Sequence, residues 1–260
     1  MIALDDAAWA APWRHIRVGE KLLLGIGLIL TALIAPAWPT APSVALASVV
    51  SALGPARIPV RTLAIAFSAP LVFILIGSIS VGIMVGTPPS DAWFALGPLS
   101  MNQASALTAL QLFARSSAGT LAVLLLATTT PMVDLLGWCR QKGIPGPLVE
   151  VASLIYRLLF VLLDTALAMH AAQVARLGNA PAGPRPLKRR LDTAANTMGT
   201  LLIRSWDRAS RLTDGLAARG IEGDLVTLPR RLPASPKFLV RSAALIAGIW
   251  LITVLWKVLS

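Results

Sequence analysis

Apolar residues fill this chain in long blocks, and the polar residues between them divide it into elements. Leu22 to Ala56 contains no Asp, Glu, Lys or Arg and is interrupted by Pro36, Trp38, Pro39 and Pro42. Clustered prolines signal a turn and a tryptophan suits a membrane interface, so two helices are expected, over 21–36 and 41–55. A second uncharged block, Thr62 to Ser90, exceeds the ~20 residues that a helix needs to cross a bilayer. The block 104–129 holds a single charge, Arg115, and the last, 238–258, has Lys237 and Arg241 at one end and Lys257 at the other. Five spans are predicted.

The stretch 131–237 has a different pattern. Thr128-Thr129-Thr130-Pro131 ends the fourth span and opens a short helix over 132–142, closed by Gly143 and Pro145. Leu148 to Leu163 is apolar on all sides apart from Glu150, Tyr156 and Arg157. After Asp164 it becomes amphipathic, with His170, Gln173 and Arg176, and it stops at Gly178-Asn179-Ala180-Pro181. Ala182 to Arg190 reads as a linker of prolines and basic residues. A second amphipathic helix is expected over 191–219, with Leu191, Met198, Leu202, Trp206, Leu212 and Leu216 among apolar positions that recur at steps of three and four. Its other face carries Arg204, Asp207, Arg208, Arg211 and Asp214, and Gly220 ends it. Two such helices exceed what a connection between spans requires, so a platform for a partner is expected. The expected fold is an all-α polytopic membrane protein. Its parts are an N-terminal tail with four spans (1–130), a cytoplasmic helical domain (131–237) and a C-terminal span (238–260).

Composition agrees. The 260 residues are 56% hydrophobic and 13% charged, against about 25% charged in soluble domains. Intrinsic disorder is excluded, and an ordinary soluble enzyme does not fit. The net charge of +11 is unevenly placed: sixteen of the 23 Lys and Arg residues lie in 131–241. Arg14, Arg17 and Lys21 precede the first span, Arg57 and Arg61 lie between the second and third, and 87–103 has no basic residue. By the positive-inside rule the N-terminus and the 131–237 domain are expected to be cytoplasmic and the C-terminus to lie outside. The acidic start, Met1 to Asp6, fits an uncleaved anchor better than a signal peptide.

Little here points to chemistry. One cysteine, Cys139, leaves no internal disulfide and no Cys-cluster zinc site, and Trp138 and Cys139 read as packing. The two histidines, His15 and His170, are far apart, and no set at metal-ligand spacing exists. A phosphate loop of the GxxxxGK[S/T] form is absent. Basic and aromatic residues do not interleave, which argues against nucleic acid. Arg115 costs roughly 2.5–3.5 kcal/mol in mid-span and so should face the bundle. It either bonds to carbonyls or to Gln111, or pins the membrane core against the 131–237 domain.

The helix ends are the exception. Ala175-Arg176-Leu177 and Ala218-Arg219-Gly220 close the two long amphipathic helices in the same way. A cation in a last turn gains roughly 0.3–1 kcal/mol from the helix dipole. Its repetition at two such ends points further, to docking, because a guanidinium can fork onto carboxylates or carbonyls in a partner's groove.

In this setting the chain resembles the transmembrane T component of energy-coupling factor (ECF) transporters, in its cobalt-type CbiQ branch. The resemblance runs in order along almost the whole chain. It rests on Asp6-Ala7-Ala8-Trp9 with Trp13-Arg14, Arg115-Ser116-Ser117-Ala118-Gly119, Thr128-Thr129-Thr130-Pro131 with Asp134-Leu135-Leu136, and Gly143-Ile144-Pro145. Tyr156-Arg157, Ala172 to Gly178 and Ala218-Arg219-Gly220-Ile221 complete it. One departure is Leu177, where many members have a small residue. The resemblance implies a non-catalytic subunit of an ATP-driven importer. Arg176 and Arg219 would dock onto two ABC-type ATPase subunits that hold ATP and Mg, and Arg115 and Arg157 are candidate coupling residues. It also implies a membrane S component that captures Co²⁺ or Ni²⁺ outside, with a small accessory membrane subunit. Two other readings are a conventional ABC permease subunit and a CDP-alcohol phosphotransferase-like enzyme. The second is suggested by Asp214-Gly215 before Ala218-Arg219, but Arg211 stands where that signature needs an aspartate.

Overall fold

Each apolar block folds as a helix, since a helix satisfies its backbone polar groups within itself where no water can do so. The computed structural model describes residues 2–85, 94–96, 99–176, 186–220 and 233–259. In chain order the elements are α1 (Ile2–Ala10), a 3₁₀ turn (Pro12–His15), α2 (Val18–Ile34), α3 (Ala37–Leu53) and α4 (Val60–Gly82). A small antiparallel sheet follows, β1 (Met84–Val85), β2 (Phe94–Leu96) and β3 (Leu99–Met101) in the order β1-β3-β2, with Val85 opposite Leu99 and Ala95 opposite Ser100. Next come α5 (Gln103–Thr129), α6 (Met132–Gln141), α7 (Gly146–Ala175), α8 (Pro186–Ala217) and α9 (Pro236–Leu259). The chain forms two units, 1–135 with 230–260, and 136–229.

The first unit is a helical bundle around α5, against which α2, α3 and α4 pack. Its core includes Leu24, Leu28, Val44, Ala118, Ala122 and Leu125. At Gly25 an added Cβ would come within 3.2 Å of the Leu126 Cβ, so the missing side chain lets α2 and α5 approach closely. Hydrogen bonds fix the direction of the helices. Lys21 at the start of α2 reaches Thr129 at the end of α5, and Glu20 reaches Ser235 just before α9. At the opposite end, Thr40 of α3 bonds to Thr253 of α9 at 2.8 Å. The starts of α2, α4 and α9 and the ends of α3 and α5 therefore share one end of the bundle. Arg14, Arg17, Lys21, Arg57, Arg61, Lys237 and Arg241 gather there. The outer surface is apolar, with Phe73 79% and Val258 78% exposed, as on helices that face lipid. This is a multi-pass membrane protein.

Several expected boundaries shift. The N-terminal tail is helical: α1 packs on α5 and α4, Ala8 is buried, and Trp13 meets Phe238 edge-on at 4.9 Å. The span expected within 62–90 stops at Gly82, where the uncharged chain turns into β1. Helix α8 starts at Pro186, inside the expected linker, because proline is pre-set for a first helical turn and lacks only an N–H that has no partner there. Among the described residues four helices, α4, α5, α7 and α9, are long and apolar enough to cross a membrane. The 17-residue α2 and α3 rise about 26 Å each, close to the hydrocarbon thickness of ~30 Å. Helix α7 meets the same test although it belongs to the second unit, so apolarity alone does not set it apart from the spans.

Candidate functional site

The second unit is dominated by two helices, α7 of 30 residues and α8 of 32. They run antiparallel. Gln173 Nε2, near the end of α7, donates to Thr197 Oγ1 of α8 at 2.7 Å, and Leu158 and Leu162 share a small pocket with Ser205, Arg208, Ala209 and Leu212. The α8 face turned to α7 thus carries Thr197, Ser205, Ala209 and Leu212. Of the predicted apolar face, Leu212 lines that pocket, whereas Leu191, Met198, Leu202 and Trp206 stay exposed in this chain.

The antiparallel register places the two Ala-Arg ends far apart. Arg176 follows α7 three residues beyond Gln173. Arg219 follows α8 and lies 22 residues beyond Thr197 in the chain, which at 1.5 Å per residue is about 33 Å of helix. Both guanidinium side chains are exposed, as are Ala175, Ala218 and Gly220. Each end is closed by short turns. Arg176 N–H donates to the Ala172 and Gln173 carbonyls at 3.2 Å, and Gly220 N–H to Ala217 at 3.0 Å. Gly220 has φ +66°, a left-handed backbone that stops the helix and turns the chain directly after Arg219. Leu177 lies outside the described residues. Arg157 is exposed on α7, next to Leu158.

Arg115 sits in the first unit. Its Nη2 donates to the Ala35 carbonyl at 2.7 Å, and Ala35 caps the end of α2. Of the two partners considered, a carbonyl and Gln111, the bond goes to a carbonyl. The guanidinium thereby satisfies one of the acceptors that a helix end leaves unpaired. Arg115→Ala is expected to cost about 1.5–3 kcal/mol, the range for a bond to a charged group. A thermal melt in detergent should show the loss, with Arg115→Lys recovering part of it.

Two residues that the sequence reading passed over are Glu20 and Lys21. Both are buried, at 7% and 2% exposure. Lys21 Nζ donates to the Thr129 carbonyl at 2.8 Å and lies within electrostatic reach of the Asp134 carboxylate. Glu20 Oε1 accepts the Ser235 N–H at 2.8 Å. Sequence reading counted Lys21 only as one more basic residue beside the membrane. The available signal was two adjacent charges set between Val18-Gly19 and Leu22-Leu23 at the start of an apolar helix.

Among the described residues no three of His, Cys, Asp and Glu gather closely enough to hold a metal ion. Asp214 is exposed on α8.

The model of the CbiQ cobalt transport protein family matches residues 10–228, through both units. The chain belongs to that family. It is 37% identical to the cobalt transport protein CbiQ of Rhodobacter capsulatus over 254 residues, covering 96% of this chain and 98% of that one. Over 231 residues it is 28% identical to the cobalt transport protein CbiQ of Salmonella typhimurium, covering 86% and 99%. A putative fused cobalt transport protein CbiMQ of Methanocorpusculum labreanum is 26% identical over 223 residues, which cover 85% of this chain but 36% of the fused one. As a member of the family the chain is a membrane component of cobalt transport.

Proposed function

We propose that this chain is the T component of an ATP-driven ECF importer of cobalt, or of nickel. It carries motion from two ATPase subunits to a substrate-binding S component and does no chemistry itself. The observation that supports this best is the pair of exposed arginines at opposite ends of an antiparallel helix pair, in a unit separate from the membrane bundle. One ATPase subunit docks at Ala175-Arg176-Leu177 and the second at Ala218-Arg219-Gly220. A separation of about 30 Å along the helices suits two partners better than one. When the ATPases close on ATP, with its Mg, the two docked ends are driven relative to each other and the helices pass that movement to the bundle.

The remaining parts follow from the same reading. The basic end of the bundle faces the cytoplasm, as the positive-inside rule requires, so the second unit is cytoplasmic and the C-terminus lies outside. Capture of Co²⁺ or Ni²⁺ falls to the S component, together with a small accessory membrane subunit. The fused relative supports a membrane partner, since its chain is much longer than the part that matches. In vesicles holding this chain with its ATPase and S components, radioactive cobalt should accumulate with ATP and not with a non-hydrolysable analogue. Accumulation without the ATPase subunits would defeat the proposal.

A further inference from the structure

The chain passes between its two units twice, at 135–136 on the way out and at 229–230 on the way back. Close to each passage, a point in the bundle is held by one of two consecutive residues of α2. On the outgoing side this is Lys21. Its ammonium bonds to the carbonyl of Thr129, the last residue of α5, and the Asp134 carboxylate in the first turn of α6 acts on the same charge. A cation at a helix C-terminus and a carboxylate just past it suit one another, because the carbonyls there carry partial negative charge. Lys21 thus holds both sides of Pro131, which is itself buried.

On the returning side the anchor is Glu20. Its Oε1 accepts the N–H of Ser235, whose carbonyl in turn accepts from Phe238 and Leu239 in the first turn of α9. A carboxylate at a helix N-terminus meets the positive end of the dipole. Successive helical residues point about 100° apart, so one turn of α2 can address α5 and α9 at once. Buried charges are costly unless paired, and an apolar pair at these positions would pack a helix start without that cost. The second oxygens of Glu20 and Asp134 are both buried without a hydrogen-bond partner, so the cost is only partly offset.

We propose that Glu20 and Lys21 form a clamp through which motion of the second unit enters the membrane bundle. This rests on the reading of the second unit as the ATPase-driven part. With the chain beside each crossing held by one turn of α2, at Thr129 and at Ser235, a displacement of α7 and α8 is delivered to α2, α5 and α9. Without the clamp, the connections at 130–134 and 233–235 flex and absorb it. Glu20 and Lys21 are positioning residues that touch neither the ion nor the ATPases.

The test is the number of cobalt ions taken up per ATP hydrolysed by the reconstituted complex, for wild type, Lys21→Met, Glu20→Leu, the double variant and Lys21→Arg. The double variant should keep its ATPase partners and its rate of ATP hydrolysis, while uptake per ATP falls at least about tenfold. Lys21→Arg, which keeps a donor for Thr129, should restore most of it. Unchanged uptake per ATP in the double variant would overturn the clamp. So would hydrolysis and uptake falling in step, or a failure of both single variants to fold, since these mark a purely structural role. If the wild-type chain fails to bind the ATPase subunits, the reading of the second unit fails instead.

Discussion

Arg176→Ala combined with Arg219→Ala is expected to abolish ATP-driven cobalt uptake while leaving the chain folded and inserted. Both side chains are exposed and end helices, so truncation removes no core contact. Surface changes of this kind usually move stability by less than about 0.5 kcal/mol. Docking is another matter. An arginine anchoring an interface is commonly worth about 2–4 kcal/mol to the complex. Losing one weakens attachment by roughly 30- to 1,000-fold at 1.4 kcal/mol per decade. Because the two ends stand about 33 Å apart along α8, each single variant should weaken one ATPase site and leave the other intact. Uptake should therefore drop in either single variant, and the double should match vesicles without ATPase. Co-purification and cobalt uptake, measured side by side, check this.

Gly220→Val is expected to give the next largest effect, without touching a partner directly. Gly220 holds φ +66°, and among the described residues no heavy atom lies within 4 Å of an added Cβ, so the obstacle is backbone strain. A left-handed conformation costs a residue other than glycine about 1–2 kcal/mol, and a β-branched one is worse placed. The turn after Arg219 should re-form in another geometry and misdirect the guanidinium, lowering cobalt uptake on the order of tenfold. Gly220→Asn, which tolerates the left-handed region, should lose far less. Equal loss in both variants would assign Gly220 some role other than shaping this helix end.

The helices were legible because apolar blocks and their proline and glycine stops are local signals. Pro36 marked the α2–α3 turn, although Pro39 and Pro42 lie inside α3 after a break at Trp38, and Gly143, with φ +92°, closed α6 as expected. Boundaries failed where one residue type carries two meanings. Pro186 was read as a linker residue and begins a helix; the uncharged run to Ser90 hid the end of α4 at Gly82. The ends of α7 and α8 were visible as a repeated Ala-Arg pattern, but their separation depends on an antiparallel pairing that is set by the Gln173–Thr197 contact. The buried charges were least legible. Lys21 finds its carbonyl 108 residues away, Glu20 its N–H 215 residues away, and Arg115 its carbonyl 80 residues away. Periodicity cannot report partners at such distances.

The central claim is that two separate arginine-bearing ends each hold one ATPase subunit. The mass of the intact complex, purified through this chain and measured in native conditions, tests it most directly. Wild type should carry two ATPase subunits, Arg176→Ala or Arg219→Ala alone a population with one, and the double variant none. Two ATPase subunits retained on the double variant would contradict the account.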